Sequence, residues 1–72
     1  MNIRSEMTGT VRKTAEVGTP LSPGDPIVII ESMKMEIPVE AETPGTLQAL
    51  HVAEGDAVNE GDLLAVLNPT TP

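Results

Sequence analysis

The sequence predicts an all-β domain, built as a small sandwich or flattened barrel from two similar halves. Seven prolines and six glycines interrupt every window of the 72 residues in which apolar side chains would recur with a helical period. The apolar residues fall instead in short runs of strand length, separated by segments rich in Gly, Pro and Asp. An internal repeat relates the early part of the chain to the late part. Two such halves, packed together, can close a core that neither could close alone.

Five runs are predicted as strands, and turn-rich pieces separate them. In chain order the strands cover residues 9–15, 26–31, 35–40, 46–52 and 62–67. The pieces GTPLSPGD, ETPG and EGDAVNEGD hold the Gly, Pro and Asp typical of turns. Residues 1–72 are therefore one domain, with a folded core over about 5–68 and a tail at 69–72 that is expected to fray.

The repeat is carried by all six glycines, which form three pairs. The pairs are Gly9 with Gly45, Gly18 with Gly55, and Gly24 with Gly61, once a one-residue gap is opened in the first half. Glycine reaches a positive φ without a Cβ clash, so each half reads as strand, turn, Gly-Asp turn and strand. The gap leaves the register of the strand at 11–17 open.

The segment between the halves, Glu31–Pro44, has to reverse direction. A continuous strand over 27–40 would be far longer than the usual five or six residues. The natural turn is Ser32-Met33-Lys34-Met35, yet tight hairpins prefer Asn-Gly or Gly-Gly at such places. A local rule broken in this way often marks a functional position.

Two interpretations of the methionines remain open at this point. Met33 and Met35 lie in phase with Ile37 and Val39, so the alternation alone favours ordinary core residues. At a hairpin tip at least one of them would be exposed, and a soft, adaptable side chain suits recognition by another protein. The position of Lys34, midway between the repeats, favours a presented group.

Composition excludes several classes of partner. The formal net charge is −7, and such a chain repels nucleic-acid backbones and anionic membranes. No aromatic residue is available to stack on bases, and no cysteine is available for disulfide or thiol chemistry. With no signal-peptide pattern at the start, the expected location is cytoplasmic.

An enzyme and a metal site are the first rival readings. The single histidine, His51, falls in a strand, and Ser5, Ser22 and Ser32 lack a nucleophile-elbow context, so no catalytic residues are predicted. EGDAVNEGD fails the spacing of a calcium loop, so no metal ligands are predicted. The Gly-Asp aspartates are expected to accept hydrogen bonds from nearby backbone N–H groups.

The motifs resemble the biotinyl/lipoyl attachment domains, above all small stand-alone attachment proteins and the biotin carrier subunits of acyl-CoA carboxylases. ESMKMEIP is similar to the modified-lysine hairpin of biotin carriers, and the two Gly-Thr repeats are similar to its flanking strands. The resemblance implies a flattened β-barrel of two four-stranded antiparallel sheets with quasi-two-fold symmetry. The two halves match closely in length, which leaves no room for the thumb insertion of some bacterial carriers. It also implies a stand-alone carrier or an excised domain.

The same resemblance implies the activity. Lys34 would carry covalent biotin, attached by a biotin protein ligase, and would shuttle a carboxyl group between a biotin carboxylase and a carboxyltransferase of acyl-CoA carboxylase type, as in fatty acid biosynthesis. The domain itself would be a non-catalytic carrier. Met33 and Met35 would serve recognition by these partners, as would Glu31, although an acidic residue at that position resembles lipoyl domains. Lipoate on Lys34, or an unmodified interaction module, are the alternatives.

Overall fold

Eight strands make up the fold of residues 1–70, the part of the chain that this computed structural model describes. Their bounds are β1 Asn2–Arg4, β2 Gly9–Thr14, β3 Pro20–Leu21, β4 Pro26–Ser32, β5 Met35–Glu40, β6 Gly45–Leu50, β7 Ala57–Val58 and β8 Leu63–Pro69. The longest connection between strands runs from 51 to 56, so residues 1–70 hold no protruding insertion. None of these residues forms a helix, and so none forms one that could cross a membrane.

The strands form two four-stranded antiparallel sheets, as predicted. One sheet has the order β1-β8-β6-β3 and the other the order β5-β4-β2-β7. The strands of the two sheets correspond in order: β1 to β5, β8 to β4, β6 to β2 and β3 to β7. Each strand thus corresponds to the one four places away along the chain. Each half of the sequence therefore contributes to both sheets, and the two halves are related by an approximate two-fold axis.

The hydrogen bonds of the turns repeat between the halves. The N–H of Gly24 donates to the carbonyl of Ala41 over 2.9 Å, and the N–H of Gly61 donates to the carbonyl of Ser5 over 2.7 Å. These two glycines have φ of 93° and 92°, a left-handed conformation that suits a residue without a Cβ. The backbone thus places Ala41 and Ser5, which are both buried, at equivalent positions.

The one-residue gap in the repeat falls at Val52. The N–H of Ala15 donates to Ile27 in the first half, and the N–H of His51 donates to Leu64 in the second. Each strand also has a register shift at the same place, Val11/Lys13 in β2 and Leu47/Ala49 in β6. The register of the first strand therefore matches that of its counterpart, and the extra residue packs against the core after β6 has ended.

The core lies between the two sheets and is entirely aliphatic. Its buried members are Val11, Leu21, Ile27, Val28, Ile30, Ala41, Leu47, Val58, Leu64, Ala65 and Leu67. The repeat pairs Ile30 with Leu67 and Ile27 with Leu64, and all four side chains are fully buried. Burial of these aliphatic groups is the main stabilising term for a chain of this size.

The turn aspartates cap the backbone as expected. The carboxylates of Asp25 and Asp62 accept hydrogen bonds from the N–H groups of Ser22 and Asn59, over 2.9 and 2.8 Å. Asp56 does the same for Ala53 over 2.9 Å. No group of carboxylates or His51 among residues 1–70 is arranged to hold a metal ion.

Three short strands were missed, and the strands extend beyond residues 5–68 at both ends. β1, β3 and β7 are two or three residues long, too short to show an alternating pattern. β1 pairs with β8, so residues before 5 belong to the fold. β8 runs through Pro69, and the N–H of Thr70 donates to the carbonyl of Pro44 over 2.8 Å, so residues 69 and 70 are held by the sheet. Residues 71–72 lie outside the described part.

Candidate functional site

The hairpin between β4 and β5 presents Lys34 at its tip. Ser32 and Met35 form the last cross-strand pair, and only Met33 and Lys34 connect them. Their φ angles are 52° and 64°, so both turn residues are left-handed. Positive φ at both central positions is the pattern of a type I′ turn, whose twist matches that of paired strands.

The turn places two residues with full side chains where glycine or asparagine is favoured. Met33 and Lys34 are the only non-glycine residues of the described chain with positive φ. A left-handed residue with a Cβ costs about 1 kcal/mol or more, and such strain concentrates at functional positions. In return, the turn directs consecutive side chains outward from the tip. Met33 is 92% exposed, Met35 is 60% exposed, and Lys34 is exposed between them.

The hairpin is held rigidly up to its last pair. Six cross-strand pairs join β4 to β5, from Pro26↔Glu40 to Ser32↔Met35. The hydroxyl of Ser32 donates to the carbonyl of Thr8 over 3.0 Å, which ties the base of the turn to the segment before β2. Gly9 lets the neighbouring strands approach, because a Cβ there would meet the carbonyl oxygen of Glu31. The exposed side chains of the tip are therefore mounted on a backbone that is paired up to Ser32 and Met35.

Charges below the tip are arranged around Glu31. Its carboxylate lies 3.5 Å from the guanidinium of Arg12 on β2, the one ion pair among residues 1–70. On the other side Glu31 is directly opposite Glu36 of β5, where like charges repel. Arg12 offsets that repulsion at a partly exposed position, so the ion pair contributes little to stability but orients Glu31.

The structure brings together four of the residues named from the sequence. One hairpin holds them all: Glu31 on β4, Met33 and Lys34 in the turn, and Met35 on β5. The core interpretation of the methionines is not what the structure shows, since both side chains are exposed. Met35 does face the same side as Ile37, but the cavity between β1 and β5 reaches only to Ile37, and nothing covers Met35 beyond it.

Two residues of the site were missed by sequence reasoning. Arg12 pairs with Glu31 through the register shift in β2, which no local pattern reveals. Ser32 was named only as a turn residue, and its bond to Thr8 joins positions far apart in the chain. The only sequence signal for Arg12 was its place as a basic residue shortly after Gly9-Thr10, at the start of a predicted strand.

Other candidate groups take no part in the hairpin site. The hydroxyl of the buried Ser5 donates to the carbonyl of Met7 and closes a local turn. His51 is exposed just after β6. A cavity of about 520 Å³ between the edges of β1 and β5 has neither histidine nor serine in its lining. The described residues thus assemble no nucleophile with a base, and the presented amine is the chemically distinctive group.

Comparison with known proteins identifies the family. A family model described as biotin-requiring enzyme matches residues 1–67. The chain is 39% identical over 72 residues to the biotin/lipoyl attachment protein of Bacillus subtilis, covering 99% of both chains. It is 42% identical over 62 residues to a biotin carboxyl carrier protein of Streptococcus mutans, covering 85% of this chain and 48% of that one. The chain belongs to the biotin/lipoyl attachment domain family.

Similar domains also occur inside much larger enzymes. Pyruvate carboxylase of Bacillus subtilis is 45% identical over 64 residues, which are 88% of this chain but 6% of that protein. Among solved structures, a single-chain, multi-domain long-chain acyl-CoA carboxylase superposes with a TM-score of 0.93 at 30% identity, over 97% of this chain and 7% of that chain. The fold is thus shared, while the chain spans only a small part of these carboxylases.

Proposed function

We propose that this protein carries biotin on Lys34 and delivers a carboxyl group between two active sites of a biotin-dependent carboxylase. The observation that carries the proposal is the exposed lysine held between two exposed methionines on a strained type I′ turn. The family supports the cofactor, and the hairpin offers one amine in the place where it is most accessible. The domain acts as a mount and is not itself the catalyst.

The residues of the tip fit the attachment of biotin. ATP first activates the biotin carboxyl group as an acyl adenylate, with release of pyrophosphate. Nζ of Lys34 then attacks the carbonyl carbon, an amide bond forms, and AMP leaves as the amine gives up a proton. A biotin protein ligase has to enclose that amine, and a narrow hairpin with no neighbouring wall admits it. Met33 and Met35 supply adaptable apolar surface on either side, and Glu31 adds a charge oriented by Arg12.

The attachment also changes what the lysine arm can enter. Biotin, when bound, supplies a ring nitrogen that accepts and donates a carboxyl group. The amide removes the positive charge of Lys34, so the arm enters two different pockets without desolvating an ammonium. The rigid hairpin confines the search to the arm, and tethering raises the effective concentration of the cofactor at each active site.

We propose a biotin carboxylase and a carboxyltransferase as the partners, with an acyl-CoA as the acceptor. The long-chain acyl-CoA carboxylase that shares the fold, and propionyl-CoA carboxylase of Homo sapiens, 39% identical over 66 residues, support this class. The pyruvate carboxylase likeness makes a keto acid the second candidate acceptor. Cytoplasm is the proposed compartment, and it supplies the ATP that loading biotin with a carboxyl group consumes.

Biotin is favoured over lipoate by the tip itself. Methionines on both sides of Lys34 resemble biotin acceptors, whereas the resemblance to lipoyl domains rests on Glu31 alone. The carboxylate of Glu31 is already paired with Arg12. An unmodified interaction module would leave the strained turn without a reason. Lipoate on Lys34 stays the alternative, and the mass of the adduct distinguishes it from biotin.

The test is intact mass spectrometry of the protein after incubation with a biotin protein ligase, biotin and ATP, followed by a peptide map. The chain has two lysines, Lys13 and Lys34, so the modified residue is assigned without ambiguity. We expect one biotin, on Lys34. A parallel reaction with a lipoylating enzyme and lipoate measures the alternative.

Two matched variants complete the test. Lys34→Arg is expected to abolish modification and to leave thermal unfolding unchanged, because the side chain is exposed and the charge is kept. Lys13→Arg is the control and should be modified like the wild type. Biotin found on Lys13, or no modification of the wild type by an active ligase, would contradict the proposal.

A further inference from the structure

We propose that Met33 and Met35 form an oxidation site that controls the loading of Lys34. The inference rests on the proposed function, since it concerns the reaction at the same lysine. Its reagent is a peroxide, which transfers one oxygen atom to the thioether sulfur. With hydrogen peroxide, methionine becomes methionine sulfoxide, the peroxide O–O bond breaks, and water is released.

The composition leaves methionine as the main target of an oxidant. The chain has no cysteine, tryptophan or tyrosine, and four methionines. Sulfur chemistry in this protein is therefore thioether chemistry alone, and no thiol competes for the peroxide. The outcome of oxidation depends on which methionines are accessible.

Accessibility separates the methionines. Met33 is 92% exposed on the left-handed turn, and Met35 is 60% exposed on the first residue of β5. Met7 is half-buried and packs against the core. Met1 is 53% exposed, but it pairs with Leu67 of β8, the counterpart of Ile30 in the other half, and so lies away from the hairpin that carries Lys34. Met33 is thus expected to oxidise fastest and Met7 slowest.

Location makes the two exposed sulfurs consequential. Met33 and Met35 are the chain neighbours of Lys34, so an enzyme that acylates Nζ has to cover both side chains. Each sulfoxide presents a strong acceptor oxygen where the reduced thioether presents apolar, polarisable surface. Covering that oxygen without a donor is unfavourable, and we expect kcat/KM for biotinylation to fall about tenfold.

The fold itself is expected to survive the oxidation. Neither side chain belongs to the buried cluster, and the last hydrogen-bonded pair of the hairpin uses backbone groups. The lesion is therefore reversible in principle, since methionine sulfoxide reductases return the thioether. Oxidation would suspend loading of the carrier without unfolding it.

The experiment treats the unmodified protein with hydrogen peroxide and follows each methionine by peptide mapping. The protein is then freed of peroxide, and its rate of biotinylation by a biotin ligase is compared with that of untreated protein. A third sample is treated with methionine sulfoxide reductase and a thiol before the assay. Circular dichroism and thermal unfolding check the fold at each stage.

Two variants locate the effect. In Met33→Leu/Met35→Leu, the ratio of treated to untreated rates should return to one, whatever the starting rate of the variant. In Met7→Leu, which keeps the hairpin methionines, the sensitivity should equal that of the wild type. Restoration of the wild-type rate by the reductase completes the expected result.

The inference is overturned by any of three results. These are an unchanged rate for protein with both hairpin sulfoxides, equal oxidation rates for Met33 and Met7, and equal sensitivity in Met33→Leu/Met35→Leu. Absence of biotinylation in the untreated wild type would count instead against the proposed function, because that sample has met no oxidant.

Discussion

The carboxyl-terminal ends of β4 and β8 are equivalent in the framework but are completed differently. β4 finishes at Ser32 and turns through Met33 and Lys34 into β5, its partner in the sheet. β8 finishes at Pro69, and its corresponding partner, β1, comes from the start of the chain. The same antiparallel pairing thus exists with a tight turn in one half and without one in the other. The antiparallel pairing of these two strands therefore does not by itself call for a tight turn, and the backbone pairing does not explain why Met33 and Lys34 form this one.

The bonds that secure the two ends show the same contrast. At the end of β8 the backbone N–H of Thr70 donates to the carbonyl of Pro44, just before β6. At the end of β4 the chain has begun to turn, and the corresponding carbonyl, that of Thr8 before β2, accepts from the Ser32 hydroxyl. A side chain therefore replaces a backbone donor where the backbone has left the regular path.

The largest expected effect separates the shared core from the tip. Ile30→Ala and Leu67→Ala remove equivalent, fully buried side chains, and each should lower the free energy of unfolding by about 2–5 kcal/mol. Met35→Ala, at an exposed position, should change it by less than about 1 kcal/mol. Urea denaturation measures all three.

Ile30→Val and Leu67→Val replace the alanine variants if those fail to fold, with losses of about 1 kcal/mol. A loss of several kcal/mol for Met35→Ala would return that residue to the core and remove the distinction between the two ends.

The next effect tests how closely the halves are equivalent. Asp25→Ala and Asp62→Ala each remove a carboxylate that accepts a backbone N–H, and each should cost about 1 kcal/mol. Thermal or urea unfolding gives the comparison, with Glu60→Ala, an exposed carboxylate in the turn of Asp62, as the control. Clearly unequal losses at the two aspartates would mean that the repeat does not extend to the energetics of its turns.

A stabilising substitution should be available at the turn. Met33→Asn places a residue that tolerates a left-handed backbone at φ 52°, and we expect a gain of about 0.5–1 kcal/mol together with slower biotinylation. Met35→Asn is the matched control, because it makes the same change on an extended strand and should bring no gain. Equal unfolding free energies for the two variants would argue against strain in the turn.

The smallest effect concerns the bond at the base of the hairpin. Ser32→Ala removes the hydroxyl that donates to Thr8 and should cost about 0.5 kcal/mol at this exposed site. Hydrogen exchange of the hairpin amides should be faster than in wild type. Ser22→Ala is the control, since Ser22 bonds through its backbone N–H. Unchanged exchange in Ser32→Ala would show that the β4–β5 pairing alone holds the tip.

Much of the framework could be read from the pattern of glycines and aliphatic residues. Three glycine pairs and the matching apolar runs predicted two similar halves, and the turn aspartates were correctly expected to cap backbone N–H groups. The strands β1, β3 and β7 escaped, because two or three residues hold no period. Each of these short strands forms by hydrogen bonding to a longer one: β1 to β8, β3 to β6 and β7 to β2.

The sequence alone predicted a turn at Ser32-Met33-Lys34-Met35, because a strand through that region would be too long, and the structure places its two central residues at Met33 and Lys34. The exposure of Met35 could not be read in this way, since its alternation is that of Ile37 and of a core residue. Met35 is exposed because the contact between β5 and β1 ends at Ile37, and these two strands are far apart in the chain. The Arg12–Glu31 and Ser32–Thr8 contacts follow from the register of β2 beside β4, which forms only when the two halves close on a common core.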